Sequence, residues 1–113
     1  MKYRVIKNSQ VEEIDRGFIK VRQLLNQDDI NNVSVAIIKI NGTNKRIINT
    51  KSDAVYYVIE GNGFFDINDE EVKVETGDLI FIPKGTTYFD KGSLTMLSIN
   101  NPRYDQSAIE YLD

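Results

Sequence analysis

"AVYYVIEGNGFFDINDEEVKVETGDLIFIPKGTTY", residues 54–88, carries the pattern that decides the fold. Apolar and aromatic residues come in short runs, and each run is closed by Gly, Asn, Asp or Pro, the punctuation of a β protein. Phe65 and Ile67 alternate with Asp66 and Asn68, and Val72 and Val74 alternate with Lys73 and Glu75. That period of two belongs to half-buried strands. "NDEE" (68–71) joins this pair as a hairpin. "GNG" (61–63) reads as a tight turn after the strand "AVYYVIE" (54–60). "TGD" (76–78) is another turn, "LIFIP" (79–83) an apolar strand ending at Pro83, and "KGTT" (84–87) turns the chain again.

The same grammar continues in both directions. "GFIKVRQLL" (17–25) is strand-like and "NQDDINN" (26–32) a polar loop. "VSVAIIKI" (33–40) is apolar enough for a central strand buried on both faces. "NGTN" (41–44) reads as a turn and "KRIINT" (45–50) as a further strand. "SLTMLSI" (93–99) is the last core strand, and the tail after Pro102 forms one helical turn or lies extended. Short strands at even spacing with almost no helical period make an all-β sandwich or barrel.

The chain has 113 residues, which suits a single domain, 1–113, with one core. Its parts are an N-terminal strand or arm (1–32), a barrel core (33–100) and a tail (101–113). The net charge of −3 and the lack of a basic stripe argue against a nucleic-acid partner. No apolar run spans a membrane and the start lacks a signal-peptide core, so no membrane partner and a cytoplasmic location are expected. Cysteine and histidine are both absent. This removes thiolate chemistry, the Ser-His-Asp and Cys-His devices, and the donors most zinc, iron and copper sites use.

Two frames in this sequence resemble the motifs of small single-domain cupins, the RmlC-like barrels. The family's first motif is a glycine, five residues, His-X-His, three or four residues, Glu, six residues and Gly. Its frame falls here on Gly42, Ile48, Thr50, Ala54 and Gly61. The second, from Gly through Pro, Gly and His to Asn, falls on Gly77, Pro83, Gly85, Tyr88 and Gly92. The resemblance covers roughly residues 33–100 and implies an antiparallel jelly-roll barrel, the double-stranded β-helix. It also implies that the metal positions are occupied by Ile48, Thr50, Ala54 and Tyr88, a set with no metal and no cofactor to hold.

Given that frame, strand alternation turns Tyr56 and Val58 the same way as Ala54, into the cavity, and Tyr57 and Ile59 outward. Tyr88 faces inward, with Asp90 on the same side if the strand runs on. The expected ligand contacts are Ile48, Thr50, Ala54, Tyr56, Val58 and Tyr88, with Arg22 and Lys39 as strand-borne cations within reach. Asp53 is expected to face solvent. The tyrosines read as core packing as readily as ligand contacts.

Three functions follow as alternatives. One is a metal-free module that holds a small organic molecule, a sugar or an aromatic or carboxylate metabolite. Another is a metal-independent isomerase, epimerase, cyclase or lyase with Tyr88 and Asp90 as acid–base candidates. The third is a packed barrel acting as a structural or interaction module. A homodimer with residues 1–25 in or near its interface is expected from the resemblance.

Overall fold

The computed structural model describes residues 3–112. Two strands of fifteen residues, β5 (Asp53–Ile67) and β8 (Thr87–Asn101), form its spine. They pair antiparallel from Asp53↔Asn101 to Ile67↔Tyr88. β3 (Ser34–Thr43) lies on the other edge of β8, followed by β2 (Ile19–Leu25) and β1 (Ile14–Asp15). β6 (Glu70–Glu75) and β7 (Leu79–Ile82) extend the free edge of β5. Where β3 leaves β8, the short β4 (Ile47–Asn49) takes its place, and β9 (Ile109–Tyr111) pairs with β4. The nine strands make one curled antiparallel sheet, a half-barrel. The tail is both helical and extended: a 3-10 turn at Gln106–Ala108 leads directly into β9.

The hairpin at 68–71 has the geometry its sequence demands. Asn68 and Asp69 have φ of 51° and 66°, the left-handed pair of a tight two-residue turn. Two other expected turns do not exist. β3 runs straight through Asn41–Thr43, and β5 runs through Gly61–Gly63. The glycines there serve close approach instead of chain reversal. A Cβ on Gly61 would lie 2.0 Å from the Ser93 carbonyl oxygen, and one on Gly63 would lie 2.2 Å from that of Lys91. With Gly92 against the Gly63 Cα, the two long strands can bend together without breaking their pairing. The last core strand is correspondingly longer than 93–99, since Gly92 bends it and does not end it.

β3 is buried on one face only. Ser34, Ala36 and Ile40 are buried, while Val35 and Ile37 are half-exposed and Lys39 is exposed. The inner faces of β5 to β8 supply the packed core, in which Val58, Phe65 and Met96 have no solvent exposure. That packing fills one part of the half-barrel. The part walled by β2, β3, β4 and the tail stays open.

Candidate functional site

The open part is a cavity of about 1100 Å³, near the upper end of the size of ligand sites. Alternation along β2, β3 and β8 builds its walls. Ile19, Val21 and Gln23 face it from β2, Ser34, Ala36 and Ile38 from β3, and Ser98 and Asn100 from β8. The tail crosses its mouth with Tyr104 and Tyr111. The wall is therefore mostly apolar on β2 and β3, where Gln23 and Ser34 are the polar exceptions, with amide and hydroxyl groups on β8 and β4.

The aromatic centre lies where packed core meets cavity. The hydroxyls of Tyr56 on β5 and Tyr88 on β8 are 2.7 Å apart. Phe65 stacks on Tyr88 with ring centroids 6.4 Å apart and leans on Tyr56 at 5.2 Å. Burial pushes both phenols above the ordinary tyrosine range, so both keep their protons at neutral pH. Two O–H groups in one mutual bond leave one hydrogen free to meet a ligand. Asp90, two residues along β8, is buried and accepts a hydrogen bond from Asn44 Nδ2 at 3.2 Å. Burial pushes its carboxyl up to about 6, against the pull of the Asn44 bond.

Ala54 and Val58 also point inward, but they are sealed in the core behind Tyr56 and do not line the cavity. Ile48 and Thr50 require a correction. Their neighbours Ile47 and Asn49 line the cavity, so alternation sets Ile48 and Thr50 on the opposite side of β4. Thr50 Oγ1 donates to the Ala108 carbonyl at 2.8 Å and ties down the tail. Arg22 and Lys39 also lie outside. Arg22 donates to the carbonyls of Asn8 and Val11 and clamps the N-terminal segment to the outer face, and Lys39 Nζ is 3.8 Å from Glu13. With Val21 and Gln23 turned inward, Arg22 between them has to point out. Asp53 is half-exposed on the face opposite Ala54, and its Oδ1 accepts from the Lys84 backbone N–H at 2.9 Å.

The sequence reading passed over Ile47, Asn49, Asn44 and Tyr104. Asn49 is tightly held. Its Oδ1 accepts from the backbone N–H groups of Lys51 and Ser52 at 3.1 and 2.9 Å, and its Nδ2 donates to Asn100 at 3.3 Å. Asn49 ends β4, and nothing in the sequence marks its burial.

Residues 35–88 match the Cupin domain family. This part of the chain is a small cupin domain. It is 25% identical over 92 residues to an uncharacterized protein of Aquifex aeolicus, covering 79% of this chain and 76% of that one. A second uncharacterized protein, from Methanocaldococcus jannaschii, is 30% identical over 66 residues, which span 55% of this cupin and 53% of the relative. Among solved structures, Streptomyces Pac13 with uridine superimposes with a TM-score of 0.88 at 23% identity, covering 100% of this chain and 92% of that one. Pac13 is described as a nucleoside dehydratase.

Metal-holding cupins prompt a direct test of fit. At or beside the motif's metal positions the inward residues are Ile47, Asn49, Ala54 and Tyr88, and the outward alternatives are Ile48 and Thr50. Neither contains imidazole or carboxylate. Asn49 Oδ1 and the Tyr88 hydroxyl are already engaged. Among the described residues no three His, Cys, Asp or Glu side chains cluster. The donors present do not fit a divalent ion.

Proposed function

We propose that this cupin binds a small polar organic molecule in its cavity and orients it with the Tyr56–Tyr88 hydroxyl pair, without a metal ion held by its own side chains. The observation that carries this is the 2.7 Å contact between two neutral phenols on the wall of an open cavity. A hydroxyl pair with one unspent O–H, apolar walls, and amides from Asn49 and Asn100 suit a ring bearing hydroxyl or carbonyl groups. Sugars, nucleosides and aromatic or carboxylate metabolites have that chemistry. The Pac13 fold, solved with uridine, makes a nucleoside the first probe.

The test is calorimetry of the full chain against uridine and a panel of sugars and carboxylates. Tyr88→Phe and Tyr56→Phe remove one hydroxyl each and keep the ring that packs on Phe65. Each is expected to weaken binding about 5- to 30-fold, the worth of one or two hydrogen-bond equivalents, with unchanged affinity after chelator treatment. Affinity untouched by both substitutions would sink the reading.

A second reading is metal-independent acid–base catalysis by the same residues. One feature favours it: Asp90 is buried two residues from Tyr88 on β8, and burial pushes its carboxyl up to about 6, close to a working pH. Turnover that survives chelators and disappears in Tyr88→Phe is its signature.

We also propose that the cupin forms a homodimer. Support comes from the outer sheet face. Val35, Ile99, Val55 and Phe81 form one row across β3, β8, β5 and β7, and Ile37, Leu97, Tyr57 and Leu79 form the next. Leu79 and Phe81 are 62% and 57% exposed, and with the two rows they make a contiguous apolar patch, the kind that marks an interaction surface. A second copy with the same face covers them by two-fold symmetry. The expected interface thereby shifts from residues 1–25, of which 1 and 2 lie outside the described residues, to this face. Leu79→Lys with Phe81→Lys is expected to turn a dimer into a monomer in light scattering. A monomeric parent protein would rule the dimer out.

A further inference from the structure

The cations at the mouth of the cavity have no part in the function proposed above. Four of them line it, Arg16, Lys45, Lys51 and Arg103, against a single acidic residue, Asp105. This basic mouth belongs to a chain whose net charge is −3. Two of the four are already neutralised. Lys51 Nζ is 3.2 Å from Asp105, and Arg103 pairs with Asp28 at 3.0 Å. Arg16, in the turn between β1 and β2, and Lys45, in the loop between β3 and β4, have no ion pair among the described residues, and both are exposed.

The tail connects these two positions. Tyr104 OH donates to Gln106 Oε1 at 2.5 Å, and Gln106 Nε2 donates to Tyr111 OH at 2.8 Å. Lys45 Nζ lies 5.6 Å from the centre of the Tyr111 ring. Arg16 lines the same cavity as Tyr104, and its charge opposes the rise that burial imposes on that phenol. Two unpaired cations thus line the same opening as this hydrogen-bonded aromatic relay. Lys45 also follows Asn44, the partner of Asp90, so the mouth adjoins the site's interior polar group.

We propose that the natural ligand carries an oxyanion, a phosphate or a carboxylate, that meets the unpaired cations Arg16 and Lys45 at the cavity mouth while its polar body enters the cavity. This rests on the reading of the cavity as a ligand site and adds the charge of the ligand. Unpaired cations at an opening raise the local concentration of anions and bind them with charge-assisted hydrogen bonds.

The test is NMR titration of the full chain with inorganic phosphate, acetate and uridine in separate arms, repeated on an Arg16→Gln, Lys45→Gln double variant. Both positions are exposed, so the variant is expected to fold, and its melting temperature checks that. Phosphate or acetate should shift the Arg16 and Lys45 resonances saturably, should bind about tenfold more weakly to the double variant, and should weaken as salt is raised. The stronger of the two arms identifies the oxyanion. No saturable shift from either anion, or equal binding by the double variant, overturns the proposal. Anion binding at the mouth while a calorimetric panel finds no cavity ligand leaves this inference standing and removes the cavity reading. Cavity binding of uridine with a silent mouth does the reverse.

Discussion

Gly61→Ala is expected to cost about 3–5 kcal/mol or to prevent folding altogether. The added Cβ would stand 2.0 Å from the Ser93 carbonyl oxygen and 3.0 Å from its carbon. Both are backbone atoms of β8, which is hydrogen-bonded to β5 at this very point through Gly61↔Leu94. Neither strand can retreat without losing that pairing, so the overlap is not relieved by a side-chain rotation. Overpacking of this kind typically costs about 1–3 kcal/mol and sometimes more. The left-handed backbone at Gly61, φ +104°, adds about 1–2 kcal/mol for any residue with a Cβ. Gly77→Ala separates the two contributions. Gly77 has φ +93° but no atom within 4 Å of its hypothetical Cβ, so only the backbone cost of about 1–2 kcal/mol is expected. Urea unfolding of the two variants provides the comparison. Equal losses would show that residues 61–63 make an ordinary turn and that the strand crossing is misplaced.

Asp90→Asn is expected to stabilise the protein by up to about 3 kcal/mol at mildly alkaline pH. The sign follows from the direction of the shift. Burial raises the folded carboxyl from 3.8 to about 6, so between those values the folded chain binds more protons than the unfolded one. Stability from this group is therefore full below the unfolded pKa and is lost as pH rises towards about 6. Above that, the penalty of a buried charge is constant, at about 1.4 kcal/mol for each pKa unit. Asn keeps an acceptor for Asn44 Nδ2 and carries no charge, so the pH-dependent loss disappears. Asp29 and Asp105 are held below the ordinary range by their partners and act in the opposite direction at lower pH. The informative quantity is thus the difference between parent and variant in urea unfolding across pH 4 to 8. Parallel profiles would mean that Asp90 is not the buried carboxyl described here. If Asp90 also moves a proton in a reaction, the stabilised variant will be the less active one, the usual exchange at a functional site.

How legible the site was depended on strand length. The fifteen-residue β5 carries enough alternation to fix its own phase, so Ala54, Tyr56 and Val58 share a face and Tyr57 and Ile59 lie opposite. The three-residue β4 does not. Its phase is set by pairing with Tyr88 on one side and Tyr111 on the other, partners 40 and more residues away in sequence. Counting through the motif frame therefore put Ile48 and Thr50 where Ile47 and Asn49 stand. No imidazole was present to anchor the count. The cations misled for a similar reason. Arg22 and Lys39 sit in conspicuous strands, whereas Arg16 and Lys45 sit in loops whose direction no periodicity records.

By itself the sequence determined that this is an antiparallel barrel of the cupin kind with no imidazole or thiolate at its centre, because strand period, turn chemistry and residue inventory are local properties. The tertiary structure alone decided that Gly61 and Gly63 mark a crossing, that half the barrel is packed and half open, and that Tyr56 meets Tyr88. Each of those depends on how tightly β5 and β8 curl against each other, a distance set by contacts between residues about thirty apart in the chain.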